Sequence, residues 1–517
     1  MTGGLVKSTL STGSMTLISR ISGLIRDVVL ATSFGATVAA DAFYVAFRIP
    51  NFFRRIFGEG AFSQAFVPVL SEYRNRSDEA SIRLFISHMS ASLGLILLLV
   101  VFVGMVASSA IVTVLAPGFL DEPEKFTTTV EMLRICFPYL LFISLVAMSA
   151  GIMNAYHHFT IPAFTPVLLN LCMIAAALLL APLMDGSAVS LAWGVLFAGF
   201  VQLFFQFPKL RQMNLLLLPR INWQDEGVRK VGKLMIPAII GSSAAQISLL
   251  INTILASFLV TGSVTWLYYS DRLMEFPLGI FGIALATVIL PALSDTHHSR
   301  SKEEFSALLD WALRWAVLIG LPAAVALVLL SEALLATLFQ YRAFTAWDVD
   351  MASKSLVAFS LGLPGLILIK VLAPGFFARQ DTRTPARIAV IAVGVNIVFS
   401  LLLIKPLAHT GLALALTISA YVNSGMLYYT LRKQDIFHLQ PGWALFLIKV
   451  FIACTGMGAA LYFTVGDLQL WTDAGILERI SRLTILVMTG AVIYFSLAFI
   501  FKIPIKAMLK SAQGTTD

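Results

Sequence analysis

Cysteine is nearly missing from this sequence. The three present, Cys136, Cys172 and Cys454, lie in apolar runs with no CxxC spacing, which excludes a disulfide framework and a thiolate metal site. Formal charge is scarce as well. Asp, Glu, Lys and Arg make up only 12% of 517 residues, while 58% are hydrophobic and mean hydropathy is +0.87, so no soluble core could hide the apolar side chains. Catalytic patterns are missing too: there is no HExxH, GxSxG or GxxxxGK[ST], and the seven histidines are dispersed. The loops on one side are too short to carry the ordered acidic site of a lipid-linked glycosyltransferase. No enzyme, metal or cofactor is therefore expected. The N-terminal MTGGLVKSTLSTGSMTLISR lacks the compact apolar run and small-residue cleavage site of a signal peptide, so the first helix is expected to stay. What remains is an all-α, polytopic membrane protein.

What is present is a series of apolar stretches. A membrane span needs about 20 largely apolar residues, and about fourteen segments meet that criterion. They run 6–33, 38–70, 83–115, 127–155, 160–182, 187–208, 230–259, 263–293, 305–338, 349–377, 386–404, 409–431, 441–463 and 483–502. Pro50, Pro277 and Pro322 fall inside spans and are expected to bend or break the second, eighth and ninth. The net charge of +8 is spread between spans rather than gathered on a soluble face, which argues against nucleic acid as a partner. With the N-terminus inside, the even-numbered loops and the tail put about twenty Lys and Arg in the cytoplasm and about five outside, as the positive-inside rule expects. Both termini are then cytoplasmic.

An internal repeat underlies the spans. PNFFRRIFGEGAFSQAFVPVLSEY from Pro50 matches PLGIFGIALATVILPALSDT from Pro277: each runs from one proline to a second, Pro68 or Pro291, and ends in V/A-L-S-acidic. AYHHFTIP from Ala155 likewise matches ARQDTRTP from Ala378. An offset of about six spans preserves orientation, so two parallel six-helix lobes are expected, as in some transporter folds. The domain division is 1–210 for the first lobe, 211–435 for the second, and 436–517 for two additional helices and a tail.

Charge inside the spans marks the functional candidates. The run from Ser19 to Pro68 holds Arg20, Arg26, Asp27, Asp41, Arg48, Arg54, Arg55 and Glu59. Charge at bilayer depth is expensive unless it meets a partner or a water-filled cavity. Five arginines against three carboxylates make a cationic lining suited to an anion. Arg20 and Arg26 lie about 120° apart around one helix, near enough for two long side chains to converge. Arg54 faces inward while Arg55 serves the interface by snorkelling, and Asp27 is a helix-pairing or snorkelling residue rather than a ligand group. In the second lobe YYSDRLMEFP offers Asp271, Arg272 and Glu275, with the two carboxylates at i,i+4 spacing. Arg272 either serves the cavity or pairs with one of these carboxylates to pin a helix. Lys370 is a mid-span cation, either a lipid-end anchor or a cavity residue. Ser19 completes the supporting set.

SRISGLIRD, TVAADAFYVAFRIPNFFRRIFGEGAFSQAFVPVL, TWLYYSDRLMEFP (265–277) and KVLAPGFFARQDTRTP (370–385) together resemble the MurJ (MviN) lipid II flippases of bacteria, within the superfamily of multidrug and polysaccharide exporters. The resemblance covers nearly the whole chain, and RRIFGEGAFSQAFVP separates it from the multidrug exporters. It implies fourteen transmembrane helices, a central cationic cavity, and transfer of the undecaprenyl-pyrophosphate-linked peptidoglycan precursor to the outer leaflet of the cytoplasmic membrane. Its cavity positions correspond to Arg20, Arg26, Asp41, Arg54 and Arg272, with Glu59 and Glu275 as helpers. Its lipid-tail groove would be formed by spans 441–463 and 483–502. The implied partners are a lipid-linked anionic substrate, membrane lipids and cell-wall synthesis proteins; a coupling ion or the membrane potential as driving force is left open. The alternatives are an exporter of another lipid-linked glycan, and a non-transporting scaffold of a cell-wall synthesis complex.

Overall fold

A chain crossing hydrocarbon must satisfy its own N–H and C=O groups, and a helix does so within one segment. The computed structural model describes the backbone of residues 2–58, 61–299 and 302–505, and it is all-α, with no strand among the described residues. Side chains are described for these residues except 2–14, 16, 56–58, 61, 238, 240–245, 283, 284, 287 and 295–299.

In chain order the helices are α1 (Thr2–Phe34), α2 (Val38–Gly58), α3 (Ala61–Arg76), α4 (Glu79–Val106), α5 (Ser108–Leu115), α6 (Pro123–Cys136), α7 (Tyr139–Ala155), α8 (Thr160–Ala175), α9 (Val189–Gln212) and α10 (Glu226–Ala256). There follow α11 (Ser263–Pro277), α12 (Ile283–Ser299), α13 (Lys302–Leu329), α14 (Ser331–Phe339), α15 (Ala346–Phe377), α16 (Arg383–Lys433), α17 (Trp443–Val465), α18 (Leu468–Thr472) and α19 (Ile476–Ile500). Among the described residues each apolar stretch marked in the sequence is mainly helical, and the second, 38–70, is carried by two helices, α2 and α3. Among the described residues, nine helices, counting joined ones once, are long and apolar enough to cross a membrane. α16 covers two predicted spans, because the chain stays helical on both sides of a kink at Ala408, where φ is 48° and ψ is −130°.

The prolines behave unequally. α2 runs through Pro50 and α13 through Pro322 without interruption, since one missing N–H removes a single bond that neighbouring turns of a packed helix tolerate. Pro277 instead ends α11, and a π-helical turn, Leu278–Gly282, separates it from α12.

The chain forms two compact units, one of residues 1–265 with 341–344, the other of 266–340 with 345–517. In the first, α1 packs on α8, α2 on α6 and α7, and α9 on α7 and α8. An aromatic ladder joins α3 to α4: Phe62 stacks on Phe66 at 5.1 Å, Phe66 on Phe85 at 5.9 Å, and Phe85 on Tyr73 at 4.5 Å. Gly35 ends α1 with φ of +59°, and a Cβ there would sit 2.2 Å from the Ala343 carbonyl oxygen, so neither the turn nor the close approach admits a side chain.

In the second unit α15 packs on α13 and α16, and α17 packs on α19 and α13. The start of α15 carries a capping box, with Asp348 N–H donating to the Thr345 hydroxyl at 3.3 Å and Thr345 N–H to the Asp348 carboxylate at 2.8 Å. Trp266 Nε1 donates to the same carboxylate at 2.9 Å and so ties α11 to that cap. Both ends of the α17–α19 pair are held by buried polar groups. At one end Asp310 accepts from Trp443 Nε1 at 2.5 Å and from Arg314 Nε at 2.7 Å. At the other, Arg479 donates to the carbonyls of Ala336 and Gln340 at 3.0 Å each and of Thr472 at 2.6 Å. These bonds close the carbonyl ends of α14 and α18.

Candidate functional site

Arg26 and Asp27 sit on α1 where it packs against α8, and both are buried, at 7% and 0% exposure. Burial this deep demands satisfaction of the charge. Arg26 Nε and Nη2 donate to Asp27 Oδ1 at 2.9 and 2.6 Å, and Nη1 donates to Asn170 Oδ1 on α8 at 3.0 Å. Asn170 continues the chain of bonds, its Nδ2 donating to the Ser22 hydroxyl at 2.9 Å and to the Ser19 carbonyl at 3.3 Å. Ser19 thus enters through its backbone. Arg20, half-buried on the same helix, lies outside this set of bonds.

Asp41, in the first turn of α2, is 1% exposed. Its Oδ2 accepts from Gly262 N–H at 2.8 Å, and its Oδ1 from Thr265 N–H at 3.0 Å and the Thr265 hydroxyl at 2.7 Å. These are donors of the first turn of α11, so the carboxylate caps that helix from outside and draws the start of α2 against the 260–264 turn. Lys125 Nζ lies 3.3 Å from Asp41 Oδ2 and 3.7 Å from Glu122 Oε1, 4.3 Å above the Phe119 ring, and donates to the Thr261 hydroxyl at 3.1 Å. Asp41 therefore spends its acceptor capacity on helix capping and on one buried lysine.

Arg54 is half-buried in the last turns of α2 and donates from Nε to Asn51 Oδ1 at 3.1 Å. Glu59 lies outside the described residues. In the second unit Arg272 and Glu275 of α11 form a longer pair, 3.6 Å from Nη1 to Oε2, with side chains 36% and 38% exposed. Asp271 on the same helix is half-buried. Lys370 of α15 is exposed, its Cγ 3.6 Å from where a Cβ on Gly282 of the π-helical turn would stand. The structure thus brings together Ser19, Arg26, Asp27 and Asn170 in one network and joins Arg272 to Glu275 in another.

Two partners escaped the sequence reading. Lys125 sits in DEPEK, which reads as an exposed acidic loop, and only its i,i+3 spacing to Glu122 hints at pairing. Asn170 stands in the apolar run PVLLNLCM, and a lone amide in such a run is a signal that could have been followed.

Arginines and carboxylates paired inside long apolar helices, on an all-helical fold, define a polytopic membrane protein of the transporter class. A solved structure described as the lipid II flippase MurJ in an inward closed conformation superposes with a TM-score of 0.81 at 26% identity, covering 95% of this chain and 98% of its own. An inward-facing multidrug exporter of the MATE family superposes with a TM-score of 0.67 at 12% identity, over 83% of this chain and 98% of its own, a likeness of fold alone. A probable lipid II flippase MurJ from Haemophilus influenzae is 46% identical over 493 residues, 93% of this chain and 96% of that protein. The family model described as lipid II flippase MurJ matches residues 30–480. The chain belongs to the lipid II flippase MurJ family.

Proposed function

We propose that this chain is a flippase that moves lipid II, the undecaprenyl-pyrophosphate-linked peptidoglycan precursor, from the inner to the outer leaflet of the bacterial cytoplasmic membrane. The observation that carries this reading is the family match over residues 30–480, joined to relatives named for that activity over nearly their full length. In this reading Arg20, Arg26, Arg54 and Arg272 offer guanidinium groups to the pyrophosphate, which they bind bidentately while staying charged at any physiological pH. Arg26 exchanges the Asn170 amide for a phosphate oxygen. Asp41 contributes by holding the start of α11 rather than by touching the anion. Glu59, Asp271, Glu275, Ser19 and Lys370 support the set. Transport follows alternating access between a first lobe of 1–210 and a second of 211–435, with fourteen spans in all, both termini in the cytoplasm, and 436–517 adding two further helices. Cell-wall synthesis proteins are its expected neighbours.

The test is depletion of the endogenous flippase with this chain as the only replacement, followed by labelling of lipid II exposed at the outer leaflet. Restored labelling at normal abundance supports flipping; growth restored without any change in exposed precursor leaves only a scaffold. For orientation, a cysteine at Asp473 should react with an impermeant thiol reagent from outside and one at Lys433 only after permeabilisation.

A further inference from the structure

Between α9 and α10 the chain reads NLLLLPRINWQDEG, far more apolar than a loop in water requires. Its backbone is neither helix nor strand from 215 to 222 and is held to α4. The Ser87 hydroxyl donates to the Leu218 carbonyl at 2.6 Å, and Arg220 N–H donates to the Ser87 carbonyl at 3.3 Å. Ser87 lies four residues, about 6 Å, past Arg83, the last full charge before the apolar run of α4. One residue further along α4 the His88 ring meets the Asp225 carboxylate at 2.8 Å, so the loop is pinned to α4 where the apolar run of that helix begins.

Along this stretch Leu215 turns in and is buried, while Leu216, Leu218, Ile221 and Trp223 turn out, at 42%, 84%, 62% and 45% exposure. Leu84, three residues before Ser87 on α4, is 45% exposed, so the outward row continues an apolar face that α4 already presents. Close to the row along the chain are the exposed Arg211, Arg220 and Arg229, which outnumber the acidic Asp225 and Glu226, and Arg229 donates from Nε to the Trp223 carbonyl at 3.0 Å. Apolar side chains with a tryptophan, accompanied by three exposed arginines, suit the boundary where acyl chains give way to phosphates.

We propose that residues 214–223 form an interfacial element that inserts Leu216, Leu218, Ile221 and Trp223 among the lipids and binds anionic phospholipid through Arg211, Arg220 and Arg229. The occupant is the phospholipid of the leaflet where α9 ends, chosen because the three exposed arginines complement a phosphate diester and the row is continuous with the exposed face of α4. This inference stands apart from the flipping reading, since it concerns a surface that the transport residues do not include.

The experiment uses the full-length protein in nanodiscs of phosphatidylcholine with or without phosphatidylglycerol. Cys136, Cys172 and Cys454 are changed to serine, and an environment-sensitive fluorophore is attached at Leu218→Cys or, as an independent position, Ile221→Cys. Lys433→Cys, at the exposed C-terminal end of α16, is the aqueous control. The expected result is blue-shifted emission at both test positions, strong quenching by a lipid carrying a shallow nitroxide, and several-fold protection from iodide relative to the control. Arg211→Gln, Arg220→Gln and Arg229→Gln combined should cut the phosphatidylglycerol retained in native mass spectrometry several-fold, with the fluorophore still shielded. Iodide quenching equal to the control overturns insertion. Undiminished lipid retention by the triple variant overturns the arginine site, and protection that arises only on adding a protein partner assigns the surface to that partner instead.

Discussion

Arg26 and Arg272 are both arginines beside a carboxylate, and the two pairs are built in opposite ways. Arg26 holds Asp27 at 2.6 Å with both side chains buried, whereas Arg272 reaches Glu275 at 3.6 Å with more than a third of each side chain exposed. A buried pair is strong only as a pair: remove one member and the other is left charged in a poor solvent. An exposed pair is screened, and either member can be lost with little change in stability. The same chemical group is thus fully enclosed with its carboxylate in one unit and held at longer range, partly exposed, in the other.

The sharpest way to break the comparison is Arg26→Ala. It takes the guanidinium from Asp27 and should destabilise the protein by about 3 to 5 kcal/mol, as well as abolishing transport. Adding Asp27→Asn should recover much of the melting temperature and none of the transport. A double variant that also regains transport would remove Arg26 from the anion-binding set.

Next in size is the cap at Asp41. Asp41→Asn and Lys125→Met, measured singly and together by thermal melts in detergent, should show a coupling energy of about 0.5 to 3 kcal/mol, because each takes from the other its nearest buried opposite charge. Strict additivity would mean that the 3.3 Å approach of Lys125 to Asp41 contributes nothing.

Arg272 should give the reverse of Arg26. Arg272→Ala and Glu275→Gln should each change stability by less than about 1 kcal/mol, while Arg272→Ala abolishes lipid II exposure at the outer leaflet. Arg272→Lys should rescue only in part, since an ammonium lacks the planar fork. Full complementation by Arg272→Ala at normal abundance removes this residue from the site.

The smallest effect is at the loop before α16. Hydrogen bonding from Thr384, hydroxyl first and backbone N–H second, holds the Asp381 carboxyl below its usual range. A depressed carboxyl stabilises the fold above its unfolded value of about 3.9 and loses that contribution as pH falls through the lower folded value. The melting difference between the natural chain and Asp381→Ala should accordingly be constant from neutral pH down to mild acid and shrink below it.

Much of this was legible from residue order. The apolar runs announce helices because nothing else satisfies a backbone in lipid, and Asp27 beside Arg26 was already recognisable as a pairing residue. The effect of proline was less legible. Pro50, Pro277 and Pro322 look alike in sequence, yet only Pro277 is followed by a π-helical turn, because tolerance of a missing N–H depends on what packs around the helix.

Composition and periodicity by themselves determined that the chain is all-α and membrane-embedded, and the motif runs determined its family, since both are properties of neighbours along the chain. Tertiary structure alone decided who satisfies whom. Asn170 meets Arg26 from 144 residues away and Thr265 meets Asp41 from 224, distances at which sequence carries no pairing signal. A charge buried in an apolar interior takes the partner that packing brings within about 3 Å, and packing is settled only when the helices have come together.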